Sequence, residues 1–174
     1  MRVFGLAGWS GSGKTTLVTR LLPALIGRGV SVSTVKHAHH AFDVDQPGKD
    51  SHRHREAGAT EVMVSSENRW ALMHELRGEA EPALEELLRP MSPVDLVIVE
   101  GFKRAAIPKL EIYRAALGKP LLAPADSDIV AIASDLPIAG IGKLPRFALD
   151  DAGAIADFII AHLRLKGQDR GAAQ

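Results

Sequence analysis

The chain has 174 residues, 46% of them hydrophobic and 24% charged, with no cysteine. That size suits one globular domain with a core of its own, and the missing cysteines exclude disulfides and thiolate metal ligands. Lys plus Arg equals Asp plus Glu at 21 each, so the formal net charge is zero. A domain built to neutralise the many phosphates of a nucleic acid is usually basic, so that class is set aside. No apolar run approaches the ~18 residues of a membrane span, and the N-terminus lacks a signal-peptide pattern. A cytoplasmic protein without membrane or nucleic-acid partners is expected.

Residues 2–7 are short and apolar and end at Gly8, as a buried parallel strand would. Residues 14–28 follow as an amphipathic helix with Leu17, Leu21 and Leu25 on one stripe, and Gly27 and Gly29 mark its end. Residues 30–36 alternate Val with Ser and Thr and predict a second strand. Residues 37–58 are polar and carry a turn at Pro47-Gly48, with a helix starting at Asp50 or Ser51. Strands over 60–65 and 69–74 flank Ser66-Glu67-Asn68 and predict a hairpin. A helix is expected over 79–89, and a buried strand over 94–99 closing on Glu100-Gly101. Further strands are expected at 109–113, 129–134 and 146–149, and then a helix over 151–164 capped by Asp150 or Asp151. Alternating strands and helices imply a three-layer α/β sandwich with a mostly parallel sheet and an inserted β-hairpin. The expected organisation is one domain over 1–165 and a flexible tail over 166–174. Ligands of such sheets lie at the carboxyl ends of the strands.

Gly8-Trp9-Ser10-Gly11-Ser12-Gly13-Lys14-Thr15 matches G-x-x-x-x-G-K-[ST], with a strand before it and an amphipathic helix after it. Gly11 and Gly13 let the backbone curl so that several N–H groups aim at one anion. The helix adds its free N-terminal donors and partial positive charge. Lys14 supplies an ammonium for the outer phosphates, Thr15 a hydroxyl for Mg²⁺, and Ser12 and Thr16 further donors. A second acid completes such a metal site, because Mg²⁺ keeps waters and takes one or two carboxylates. Glu100, at the end of the 94–99 strand, is the candidate, whereas Asp95 marks the strand's entry. Glu100 either binds Mg²⁺ or orients water, or is a strand-end carboxylate that meets solvent.

Five of the seven histidines, His37, His39, His40, His52 and His54, fall in one short polar segment with Asp43, Asp45 and Asp50. Two readings stand open: a transition-metal site, or a loop of His, Lys36, Lys49, Arg53 and Arg55 that closes on phosphates and a second anion. The second is preferred, since H-x-H-H matches no defined zinc spacing. The turn at Gly48-Lys49-Asp50-Ser51 could carry Asp50 to the metal, as a switch-loop acid does in nucleotide hydrolases.

Several stretches occur in order: the phosphate loop through Thr16; Lys36-His37-Ala38-His39-His40; Phe42-Asp43 onward to Pro47-Gly48-Lys49-Asp50-Ser51; Arg69-Trp70-Ala71-Leu72-Met73; and Val99-Glu100-Gly101-Phe102-Lys103. Together they resemble the MobB-type molybdopterin-guanine dinucleotide biosynthesis adapter proteins, a P-loop GTP-binding family. The resemblance implies a homodimer that binds GTP with Mg²⁺ and is a weak GTPase at most. It also implies assistance to the molybdenum cofactor guanylyltransferase, with molybdopterin as a further ligand. By position, Ser12 to Thr16 would hold phosphates, and Gly48, Lys49, Asp50 and Ser51 would reach the nucleotide or its metal. Glu100 would be the second acid, giving Asp50 and Glu100 catalytic roles and a metal set of Thr15, Asp50 and Glu100. The 69–73 strand would join a hairpin that pairs with a second subunit. The N-K-x-D guanine reader is absent, and Asp135, after the 129–134 strand, is the candidate acceptor for the guanine N–H edge. Two alternatives remain: a small-molecule kinase on the same loop, and a non-hydrolysing pterin- or anion-binding module.

Overall fold

The computed structural model describes residues 1–38, 42–138 and 140–166. The expected tail from 167 onward, and His39 and His40, lie outside the described residues. Two compact units are present, one built from residues 1–37 and 92–174, the other from 38–91.

The first unit holds a six-stranded sheet in the order β2-β5-β1-β6-β7-β8. Its strands are β1 (Arg2–Ala7), β2 (Val32–Lys36), β5 (Leu96–Glu100), β6 (Lys109–Tyr113), β7 (Ile129–Ser134) and β8 (Arg146–Ala148). Every pairing is parallel, so the sheet expected to be mostly parallel is wholly so. Its helices are α1 (Lys14–Ile26) and α4 (Ala152–Leu163), which pack together. One sheet face, carrying Phe4, Leu6, Leu96, Ile98, Leu110, Ile112, Ala131 and Ala133, meets Leu17, Leu21 and Leu25 of α1 and Ile155 and Ile159 of α4. Burying each such aliphatic side chain contributes roughly 1.5–3 kcal/mol. The Arg28 guanidinium donates to both carboxylate oxygens of Asp157, at 2.6 and 2.9 Å, and ties the end of α1 to α4.

Local chemistry explains most boundaries. The Gly29 N–H bonds the Ile26 carbonyl and the Val30 N–H the Leu25 carbonyl, so the chain is still closing α1 at Val30. That closure delays β2 to Val32. Asp95 is indeed an entry residue: its carboxylate accepts from the Ser31 N–H at 2.9 Å and hydroxyl at 2.6 Å, while its own N–H donates to the Ser31 hydroxyl. Asp151 caps α4 by accepting from the Ala154 N–H.

The second unit contains α2 (Asp50–Glu56), the antiparallel hairpin β3 (Glu61–Ser65) and β4 (Trp70–His74), and α3 (Leu84–Leu88). The helix expected over 79–89 shrinks to one turn. Pro82 disfavours helical backbone before it, and Ala83 is extended at φ −64°, ψ 157°. Arg55 organises this unit, with a guanidinium at 2.8 Å from Asp43, 2.8 Å from Glu75 and 3.4 Å from Asp45.

Candidate functional site

Parallel pairing puts the carboxyl ends of β1, β5, β2, β6 and β7 along one edge. Gly8, Glu100, Lys36, Arg114 and Asp135 stand there, at or just beyond the strand ends. From β1 the chain goes on to β2 on one side, whereas from β5 it crosses to β6 on the other side of β1, and α/β sheets bind ligands at such a reversal.

The glycine-rich loop of residues 8–13 lies at this edge, between β1 and α1. Gly13 caps α1 in left-handed backbone, φ 102°, with no side-chain cap, so the first N–H groups of the helix stay unclaimed by any capping side chain. Gly8 is required by packing as well as by φ 151°: a Cβ there would fall 2.6 Å from the Ile112 carbonyl oxygen and 2.7 Å from Ser12 Oγ. Ser12 is 1% exposed, yet its hydroxyl has no hydrogen-bond partner among the described residues. A buried unsatisfied hydroxyl costs about 1–3 kcal/mol, which an incoming phosphate oxygen would relieve.

Lys14 curls its ammonium back onto the loop, donating to the carbonyls of Gly8 (3.0 Å) and Trp9 (2.9 Å). Burial pushes it below the usual lysine value, the Glu100 carboxylate opposes that, and Lys103 and Lys36 reinforce it. The ammonium is therefore held where its charge is poorly compensated and an anion is favoured. Thr15 Oγ1 donates to Glu100, 3.2 Å from Oε1 and 3.5 Å from Oε2. Thr16 is exposed on the first turn of α1.

The donor set fits Mg²⁺. This ion takes one or two carboxylates and completes its shell from waters and substrate phosphates, so a hydroxyl and one carboxylate beside a phosphate cradle suffice. Among the described residues no group of three or more His, Asp and Glu is disposed to hold a metal. The backbone N–H of His37 donates to the Glu100 carbonyl at 2.8 Å, and its ring tilts against Phe102, centroids 5.2 Å apart.

Asp135 follows β7, and its Oδ1 accepts the Ala115 N–H at 3.1 Å while Oδ2 lies 3.9 Å from Arg114. Arg114 directly follows β6. Its Nε donates to the Ser12 carbonyl at 3.4 Å, so it joins Asp135 to the phosphate loop. No sequence pattern marks it, because its role depends on β6 lying beside β1.

The residues of the 48–51 turn belong to the second unit. Gly48 has φ 86°, Lys49 precedes α2, and Asp50 opens that helix on the surface with Arg53 at 3.9 Å. Ser51 donates its hydroxyl to Asp45 at 2.8 Å.

A family model described as molybdopterin guanine dinucleotide synthesis protein B, MobB, matches residues 3–135. The chain is 43% identical over 163 residues to the molybdopterin-guanine dinucleotide biosynthesis adapter protein of Escherichia coli K12, covering 91% of both chains. It is 41% identical to the adapter protein of the same description from Haemophilus influenzae, covering 90% of this chain and 86% of that one. A crystal structure of molybdopterin-guanine biosynthesis protein B superposes with a TM-score of 0.73 at 31% identity, over 93% of this chain and 99% of the other. Bacillus subtilis MobB gives 0.72 at 26% identity, over 97% and 100%. With its parallel α/β sheet, its phosphate loop after β1 and these likenesses along most of its length, the chain belongs to the MobB family of molybdopterin-guanine dinucleotide synthesis proteins.

Proposed function

We propose that this protein is a GTP-binding adapter in molybdopterin-guanine dinucleotide biosynthesis, with slow hydrolysis at most. One observation carries the nucleotide part: the Thr15 hydroxyl and the Glu100 carboxylate meet at the start of α1, beside the folded-back Lys14 ammonium and the orphaned Ser12 hydroxyl. The pathway and the adapter role come from the relatives' descriptions.

In this reading the loop N–H groups and the Ser12 hydroxyl bind the phosphates. Lys14 exchanges its carbonyl contacts for phosphate oxygens. Thr15 and Glu100 would hold Mg²⁺, which supplies charge neutralisation between the outer phosphates. Asp50 is the further acid proposed for the metal, through the 48–51 turn. Arg114 fixes the Ser12 carbonyl and the Asp135 carboxylate, so the proposed base reader and the phosphate cradle share one support. A homodimer through the β3–β4 hairpin, and the guanylyltransferase as partner, complete the proposal.

The test is phosphate release from GTP and Mg²⁺ with no acceptor present. Slow release that needs no acceptor supports the adapter reading, and release that appears only with an added acceptor would make the protein a kinase. Release that disappears in Glu100→Gln, with GTP still bound, would assign Glu100 to turnover as well as to the metal.

A further inference from the structure

Two buried charged side chains of β6 serve no evident step of nucleotide binding. Lys109 is 2% exposed, and its ammonium donates to the carbonyls of Lys103 (3.3 Å) and Ala105 (2.9 Å), with Asp126 at 3.0 Å. Glu111 is fully buried and accepts the N–H groups of Leu122 (2.7 Å) and Ala123 (2.8 Å). Burying an ion is costly unless it is paired and hydrogen-bonded. Here each ion pins one surface loop, Lys109 the segment 103–105 and Glu111 the segment 122–123.

These two loops flank Trp9, in the second position of the phosphate loop. The Trp9 indole N–H donates to the Pro120 carbonyl at 2.8 Å, which turns the ring toward the second loop. Each loop brings an ammonium to the ring: Lys103 lies 5.0 Å from its centroid and Lys119 5.7 Å. A cation over an indole is held by the ring quadrupole. Among the described residues neither lysine has a carboxylate partner, so two like charges share one ring uncompensated.

We propose that Trp9, Lys103 and Lys119 form a second anion subsite beside the phosphate loop, built for a phosphate monoester dianion. A dianion carries the charge that the two ammonium groups lack, and the ring holds each of them near it before the dianion arrives. Two sources can supply that chemistry: the terminal phosphate of the nucleotide in the loop, or the phosphate of a separate ligand.

The test uses the full chain with Trp70→Phe, which leaves Trp9 as the single tryptophan reporter, since the chain has two. Inorganic phosphate is titrated at constant ionic strength against chloride, and Trp9 fluorescence is followed. A saturable response that survives Lys14→Ala, and weakens about tenfold in Lys103→Met/Lys119→Met, supports the subsite. A response lost with Lys14→Ala but intact in the double lysine variant would place the phosphate in the main loop and overturn it. A response no larger than that to chloride would overturn it too. Repeating the titration with saturating GTP or GDP separates the sources. Blocking by GTP alone assigns the subsite to the terminal phosphate, and persistence with both nucleotides assigns it to a separate ligand. The single variants Lys103→Met and Lys119→Met, both exposed positions, guard against loss of fold and are each expected to weaken binding in part.

Discussion

The hydroxyl of Thr15, in the first turn of α1, donates to the carboxylate of Glu100, at the end of β5, across a distance of 3.2 Å. The contact exists because β1 and β5 pair in parallel with Leu6 opposite Glu100, so the chain that leaves β1 for the loop returns beside that carboxylate. Glu100→Gln keeps an acceptor for the hydroxyl and removes the charge. GTP affinity measured with Mg²⁺ is expected to fall about tenfold, while affinity without Mg²⁺ stays the same. Calorimetry with and without the metal reads both, and an unaltered Mg²⁺ dependence would take Glu100 out of the metal site.

The Arg55 cluster gives the second unit an acid-sensitive hold. The Asp43 carboxyl is drawn below its usual value first by the Asp45 N–H and then by the Arg55 guanidinium. For Asp45, burial pushes upward but is outweighed by the Ser51 hydroxyl, the Gln46 N–H and Arg55. Lowered carboxyl values in the folded state mean stability present above the unfolded carboxylate value, about pH 3.9, and lost as the pH falls through the folded values. Hydrogen exchange in α2, corrected for its intrinsic pH dependence, should lose protection over that window. In Arg55→Met protection should already be reduced at neutral pH, and its further loss in acid should be smaller but still present, because the Asp45 N–H, the Ser51 hydroxyl and the Gln46 N–H still favour the two carboxylates.

Where the determinants are local, the sequence reads well. The strands at 109–113 and 129–134 appear with the expected limits: the second is a short apolar run, and the first alternates charged Lys109 and Glu111 with apolar Leu110 and Ile112. The G-x-x-x-x-G-K-[ST] motif is legible for the same reason, lying in eight consecutive residues between β1 and α1. The helix expected over 79–89 loses its first half because Pro82 disfavours helical backbone before it and Ala83 is extended. Lys109, Glu111 and Arg114 were illegible as site residues. Lys109 and Glu111 lie on β6 and Arg114 directly follows it, and nothing in their spacing tells which loops the fold brings to them.

The hairpin carries the case for dimerisation. Met63 lies opposite Leu72 and Ser65 opposite Trp70, so Met63, Leu72 and Trp70 share one face. That face is exposed, Met63 and Trp70 at 62% each. A contiguous exposed apolar face is a typical interaction surface. Sedimentation at micromolar concentration is expected to give a dimer, and Leu72→Glu to weaken it at least about tenfold by placing a charge against an apolar partner. A wild-type monomer would count against the hairpin as the interface.

Asp135 is held by the Ala115 N–H and faces Arg114, so its carboxylate is fixed before any base arrives. Asp135→Asn keeps the shape but replaces an acceptor by a donor on one side. The preference for GTP over ATP is expected to shrink about tenfold, one lost hydrogen bond to a charged group. Competition between the two nucleotides measures it, and an unchanged ratio would move base recognition to another residue.

The central claim is that the loop between β1 and α1 grips a nucleotide triphosphate through Lys14. A calorimetric panel of GTP, GDP and ATP on wild type and Lys14→Ala tests it most directly, with melting temperature as the control for fold. Burial disfavours the Lys14 ammonium in the free protein, so Lys14→Ala should melt within a few degrees of wild type while GTP binding disappears. Undiminished GTP affinity in a folded Lys14→Ala protein would contradict the account.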